Sequence, residues 1–158
     1  MRLFFLLTLL LFHVSMDARD TCAKVTLIGK TKTHKPLRLC VEALEKGLPY
    51  IEERVYNPYE KRADRYGGVP LDKFVEKFGD SDVKALKFTA IDDYETTIRR
   101  EDWEAIRIIL STQMNGHYIA YAQKGPLRIV FPDFDPAQER YRLNLPNWIW
   151  MIKTIEFK

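Results

Sequence analysis

Two turn signals in quick succession constrain the middle of this chain. Asn115-Gly116 marks a tight hairpin, because both residues tolerate positive φ. Gly125-Pro126 marks a second turn. Apolar runs flank them. Arg107-Ile108-Ile109-Leu110 reads as a buried strand, and His117-Tyr118-Ile119 starts the return. Residues 127–131 form a further short strand, stopped by Pro132, which cannot extend a central ladder. Arg128 sits inside that strand, between Leu127 and Ile129. Alternation leaves two readings of it open: an outward-facing strand residue, or a cation held in place for a purpose.

The rest of the chain reads as strands with a few short helices. Val25 to Ile28 is a strand, followed by a basic, polar loop over 29–36. Leu37-Arg38-Leu39 alternates, and 41–46 reads as a short helix stopped by Gly47. Residues 50–56 are rich in β-formers and end at Asn57-Pro58, and 60–65 is a charged loop. Val69-Pro70-Leu71 opens a helix with Pro in its first turn. Leu71, Phe74, Val75 and Phe78 recur there at helical spacing, and Gly79 ends it. These four are core rather than a cofactor box. Residues 84–90 alternate, with Leu86, Phe88 and Ala90 on one face. Asp92-Asp93-Tyr94 turns the chain into a partner strand over 94–98, and 101–105 is a turn or short helix. There are no repeats and no low-complexity linker. The fold class is α+β, mostly β, with mixed sheets.

Composition bounds the class of protein. A chain of 158 residues, 46% hydrophobic and 30% charged, suits one domain with a real core. Arg2 followed by the apolar run from Leu3 to Phe12 is too short to span a membrane and reads as a secretory signal over 1–18. The mature domain is then 19–158, exported, with a net charge of +3 and no basic stripe that would argue for nucleic acid. Cys22 and Cys40 are the only cysteines. In an exported chain an even count suggests a disulfide, with two separate thiols as the alternative. It would close a loop of about 19 residues, worth roughly 3 kcal/mol by the chain-entropy argument. This spacing, with no His pair nearby, does not make a zinc site.

No nucleophile constellation is present. His13, His34 and His117 are scattered, and His117, next to the Asn-Gly turn, is expected in solvent.

Met114-Asn115-Gly116, then Gly125-Pro126-Leu127-Arg128, then Ile129-Val130-Phe131-Pro132 resembles the C-terminal half of the molybdopterin-binding domain of the sulfite oxidase family. There an Asn-Gly turn precedes a His-Gly-x-Pro-x-Arg loop and a strand ending in Pro-Gly. Gly68-Val69-Pro70-Leu71 upstream and a Trp-containing last strand, matched by 150–157, extend the likeness over roughly 23–158. The resemblance implies a sulfite-oxidase-type fold. This sequence also departs from it. In the enzymes a Cys holds the metal, on the loop that corresponds to Val55-Tyr56-Asn57-Pro58-Tyr59, and no Cys stands there. Tyr or Asn cannot replace a thiolate in kind. The family's loop His corresponds to Lys124, and its Lys before the last Trp corresponds roughly to Ile149, while Arg128 is kept.

A chain with this fold, export and no metal Cys resembles the small periplasmic pterin-binding regulators. The resemblance implies an exported protein that is not an enzyme. It would hold no tightly bound cofactor and no metal, and would bind a reduced pterin of the monapterin or neopterin type. Its partner would be the periplasmic domain of a membrane diguanylate cyclase/phosphodiesterase, with a place in cyclic di-GMP signalling and biofilm control. A molybdopterin-dependent oxidoreductase and a ligand-free interaction protein are the alternatives.

The expected ligand residues are Asn57, Tyr59, Asp93, Tyr94, Lys124, Arg128, Trp148 and Trp150. A carboxylate accepts the side-by-side amino and ring N–H groups of a pterin edge in a bidentate pair, the role assigned to Asp93. The competing reading of Asp92-Asp93-Tyr94 is an ordinary turn whose side chains cap their own backbone. Alternation puts Trp148 and Trp150 on one face of the last strand, where they are core, or one stacks on a ligand ring. Residues 136–146 form a long polar loop with Tyr141 and Arg142, a lid or partner surface.

Overall fold

The computed structural model describes residues 22–158. The signal expected over 1–18 lies outside them. Ten strands form two five-stranded sheets. The first has the order β2 (Leu37–Cys40), β1 (Lys24–Gly29), β10 (Ile152–Phe157), β5 (Ala85–Ala90) and β6 (Glu95–Arg99). Within it β1 and β10 run parallel and the other pairs antiparallel, so the sheet is mixed. The second has the order β3 (Ile51–Asn57), β4 (Arg62–Pro70), β7 (Ile109–Met114) and β8 (His117–Tyr118), with β9 (Arg128–Val130) also paired to β7.

One apolar cluster draws on both sheets. Val25, Leu27, Leu86, Phe88 and Ile155 come from the first, and Val55, Tyr66, Val69, Ile109 and Leu110 from the second. Helix α2 (Leu71–Phe78) adds Leu71, Phe74 and Val75, the face that its spacing predicts, and Phe74 stacks on Phe157 at 5.7 Å. The other helices are short: α1 (Val41–Glu45), α3 (Arg100–Ala105) and α4 (Glu139–Leu143). Gly125 is required by close approach, since a Cβ there would lie 1.8 Å from the Ile119 carbonyl oxygen. The Asn115-Gly116 turn is formed as expected, both residues having positive φ, and His117 is exposed. Cys22 and Cys40 are disulfide bonded, joining the start of β1 to the end of β2.

Several sequence expectations are corrected. The charged stretch 60–65 is not all loop: β4 begins at Arg62 and pairs with β3 along a polar hairpin, where Arg65 meets Glu52 and Arg62 meets Asp64. Charge pairing, across strands for Arg65 and Glu52 and along β4 for Arg62 and Asp64, replaces the apolar alternation that sequence reading needs. Pro70 ends β4 and precedes α2, rather than lying in its first turn. Arg107 lies outside β7. The loop over 136–146 holds α4, with Tyr141 buried against Phe134, and a 3-10 turn over Leu145–Asn147. Trp148 and Trp150 are not on the last strand. Trp148 caps the 3-10 turn over Leu145–Asn147, Trp150 lies between that turn and β10, and Met151, at φ 55°, turns the chain into β10.

Candidate functional site

A cavity of about 250 Å³ lies where turns from the two sheets meet. Tyr59 reaches it from the β3–β4 turn. Ala90, Asp92 and Tyr94 reach it from the β5–β6 corner, and Pro146, Trp148, Ile149 and Trp150 from the segment before β10. Two tyrosine hydroxyls clamp that segment. Tyr59 donates to the Leu145 carbonyl and Tyr94 to the Pro146 carbonyl, each at 2.9 Å. Partial burial pushes the Tyr59 phenol above its ordinary pKa, with the neighbouring Tyr94 adding to the effect, so it remains a neutral donor. Tyr59 meets Trp150 edge to face. Trp148 is deeper, packed against Phe131 and Phe134, and its indole Nε1 has no hydrogen-bond partner among the described residues.

Four of the eight expected ligand residues therefore line one cavity: Tyr59, Tyr94, Trp148 and Trp150. The other four stand elsewhere. Asp93 is not in the wall. It sits at the left-handed position of the β5–β6 corner, with φ 65°, and accepts from Lys153 Nζ at 2.5 Å in solvent. That hydrogen bond holds its carboxyl below the usual range. Its neighbour Asp92 is the carboxylate in the cavity wall. It also caps its own turn, Oδ1 accepting from the Tyr94 N–H at 3.2 Å. Asn57 is buried and structural: Oδ1 accepts from the N–H groups of Tyr59 and Glu60, and Nδ2 donates to the Tyr66 hydroxyl. It shapes the turn that carries Tyr59.

Lys124, at the left-handed end of a 3-10 turn over Tyr121–Gln123, places Nζ 4.7 Å from the centre of the Trp150 ring. Arg128 is 1% exposed, not outward-facing. The reason is topological: β9 is covered, with all three of its residues buried. The guanidinium lies over the Tyr66 ring and donates from Nη2 to Glu60 Oε1 at 3.1 Å. Glu60 also faces Lys124 at 3.6 Å and Arg62 at 3.5 Å. Sequence reading missed both Asp92 as the cavity carboxylate and Glu60 as the counterion of Arg128. The doublet Asp92-Asp93 signalled the former without choosing between the two, and nothing in a charged loop signalled the latter.

The comparisons agree with this architecture. A family model described as oxidoreductase molybdopterin binding domain matches residues 40–139. The chain belongs to that family. In the solved structures the fold resembles the sulfane dehydrogenase SoxCD from Paracoccus pantotrophus, with a TM-score of 0.58 and 16% identity over 85% of this chain. The likeness covers 37% of the SoxCD chain, so this chain spans little more than a third of that neighbour. No curated protein matches the chain.

The residues present do not suit a molybdenum-loaded cofactor. The turn after β3 offers Asn57, Pro58, Tyr59, Glu60 and Lys61, none of them a thiolate. Both cysteines of the chain are bonded to each other, and a disulfide does not ligate as a thiolate does. Arg128 is paired with Glu60 through Nη2, while its buried Nη1 has no hydrogen-bond partner among the described residues. What the cavity does suit is a flat ring. Its wall contains the aromatic residues Tyr59, Tyr94, Trp148 and Trp150, with Asp92 as its acidic residue. Its volume falls just under the roughly 300–1,000 Å³ of sites for drug-sized ligands.

Proposed function

We infer that this protein is a pterin-binding sensor rather than a molybdenum oxidoreductase. One observation carries the reading: the cavity framed by Tyr59, Tyr94, Trp148 and Trp150 has a carboxylate, Asp92, in its wall and no thiolate on the turn where the metal ligand would stand. Trp150 or Tyr94 would cover the ring face, and Asp92 would accept two N–H groups from the pterin edge. Lys124 stands nearby to donate to a hydroxylated tail. The ligand class is a reduced pterin of the monapterin or neopterin type.

We propose further that the protein is exported and acts on the periplasmic domain of a membrane enzyme that makes or degrades cyclic di-GMP. The leader-like sequence over 1–18, the disulfide and the resemblance to periplasmic pterin-binding regulators support this. Exposed Ile91 and Tyr94, at the corner that carries Asp92, offer a surface through which occupancy could be read. The test is mass spectrometry of small molecules released from protein purified from its own host. Recovery of a reduced pterin is expected. Recovery of a molybdenum cofactor would overturn the reading.

A further inference from the structure

We propose that Glu60 is a specificity-determining residue, which makes the site select an unphosphorylated ring compound over its phosphate ester. The proposal rests on the pterin reading above and names the charge class of the ligand. Glu60 follows Tyr59 on the β3–β4 turn, and Tyr59 lines the aromatic cavity. A second cleft, of about 560 Å³, shares Tyr59 and is lined also by Glu60, Arg62 and Lys124. A ring seated against Tyr59 and Trp150 would extend its tail toward this cleft, past the Lys124 ammonium above Trp150.

Cations gathered beside a ring cavity would ordinarily suit a phosphate. Here Glu60 already stands among them. Oε1 lies 3.1 Å from Arg128 Nη2 and 3.6 Å from Lys124 Nζ, and Oε2 lies 3.5 Å from Arg62 Nη2. Its side chain is only 15% exposed, so it is not a solvated acid free to swing away. One carboxylate thus takes the position among the cations that a ligand phosphate would need. Asp64 further occupies Arg62 at 2.7 Å. These five groups retain a single uncompensated positive charge. A phosphate monoester carries about −1.5 to −2 at neutral pH. It would have to displace Glu60 or sit against it, and a like-charge contact is a standard means of rejecting a competitor. A hydroxylated, uncharged tail meets neither obstacle.

The experiment is calorimetry with a hydroxylated reduced pterin and its phosphate ester, on the purified protein and on Glu60→Gln. The parent should prefer the unphosphorylated compound by about tenfold or more. A folded Glu60→Gln should lose most of that preference, because Lys124 and Arg62 then line the cleft without the Glu60 charge. Equal affinities in the parent would overturn this assignment while leaving the pterin reading standing. An unchanged preference in folded Glu60→Gln would also overturn it. Failure of the parent to bind either compound would overturn both. Equal affinities in the parent overturn the assignment even where the variant does not fold.

Discussion

The rings of Tyr59 and Trp150 meet edge to face, with centroids 5.6 Å apart and planes at 75°. The contact joins the β3–β4 turn of one sheet to the segment that enters the last strand of the other. The Tyr59 hydroxyl ties the same segment through Leu145. The cavity wall is therefore held from both sides by side chains that are also its lining.

The two tryptophans should separate binding from stability. Trp148 is 3% exposed and packs on Phe131 and Phe134. Trp148→Ala should cost about 3–5 kcal/mol of folding stability, read by denaturant unfolding. Trp150 is half-buried at the cavity. Trp150→Ala should instead weaken pterin binding by roughly 1–3 kcal/mol, by analogy with base stacking on aromatic residues.

Glu60 and Arg128 should respond asymmetrically. Arg128 is 1% exposed and has Glu60 as its carboxylate partner, whereas Glu60 keeps Lys124 and Arg62 when Arg128 is removed. Glu60→Ala leaves a buried cation uncompensated and should cost about 3 kcal/mol or more. Arg128→Met fills the space with an apolar side chain and should cost less. Chemical denaturation of the two variants checks the order. A larger loss for Arg128→Met would contradict it.

The Cys22–Cys40 bond closes a loop with a sequence separation of 18, and reducing it should lower stability by roughly 3 kcal/mol. For a domain of this size that is on the order of a 6–12 °C fall in Tm. Thiol titration of denatured, unreduced protein should find no free thiol. Pterin affinity should change little, because the cavity is lined by other segments.

Protein from a host that makes the molybdenum cofactor should carry no stoichiometric molybdenum by elemental analysis. The reason is the donor set of the β3–β4 turn, where Asn57 is spent on backbone capping and Tyr59 on the Leu145 carbonyl. A stoichiometric signal would overturn this account of the site.

The parts of the fold legible in the sequence were those with a local physical cause. Helix α2 showed its apolar stripe, Asn115-Gly116 its backbone tolerance, and β5 its alternation. The family resemblance brought Tyr59, Tyr94, Trp148 and Trp150 to one place, which no local pattern could do. What was not legible depended on distant partners. The start of β4 is a charged stretch that reads as a loop, held by pairing with β3 and by ion pairs to Glu52, Asp64 and Glu60. Arg128 lies on a covered strand, and its buried charge is compensated by Glu60, far off in sequence. The end of the alternation before β10 depends on a left-handed Met151, for which that residue type gives no signal. The choice between Asp92 and Asp93 turns on which of two adjacent residues takes the left-handed position of one corner.

That choice supplies the most direct test. Calorimetry of a reduced, hydroxylated pterin should give saturable binding to the parent. Asp92→Asn should weaken it about tenfold or more, since a hydrogen bond to a charged group contributes roughly 1.5–3 kcal/mol. Asp93→Asn, which keeps a residue tolerant of the left-handed conformation and loses only a solvent-exposed pair with Lys153, should bind as the parent does. Parent-like affinity in Asp92→Asn with a large loss in Asp93→Asn would contradict the site described here, and no binding by the folded parent would contradict the function.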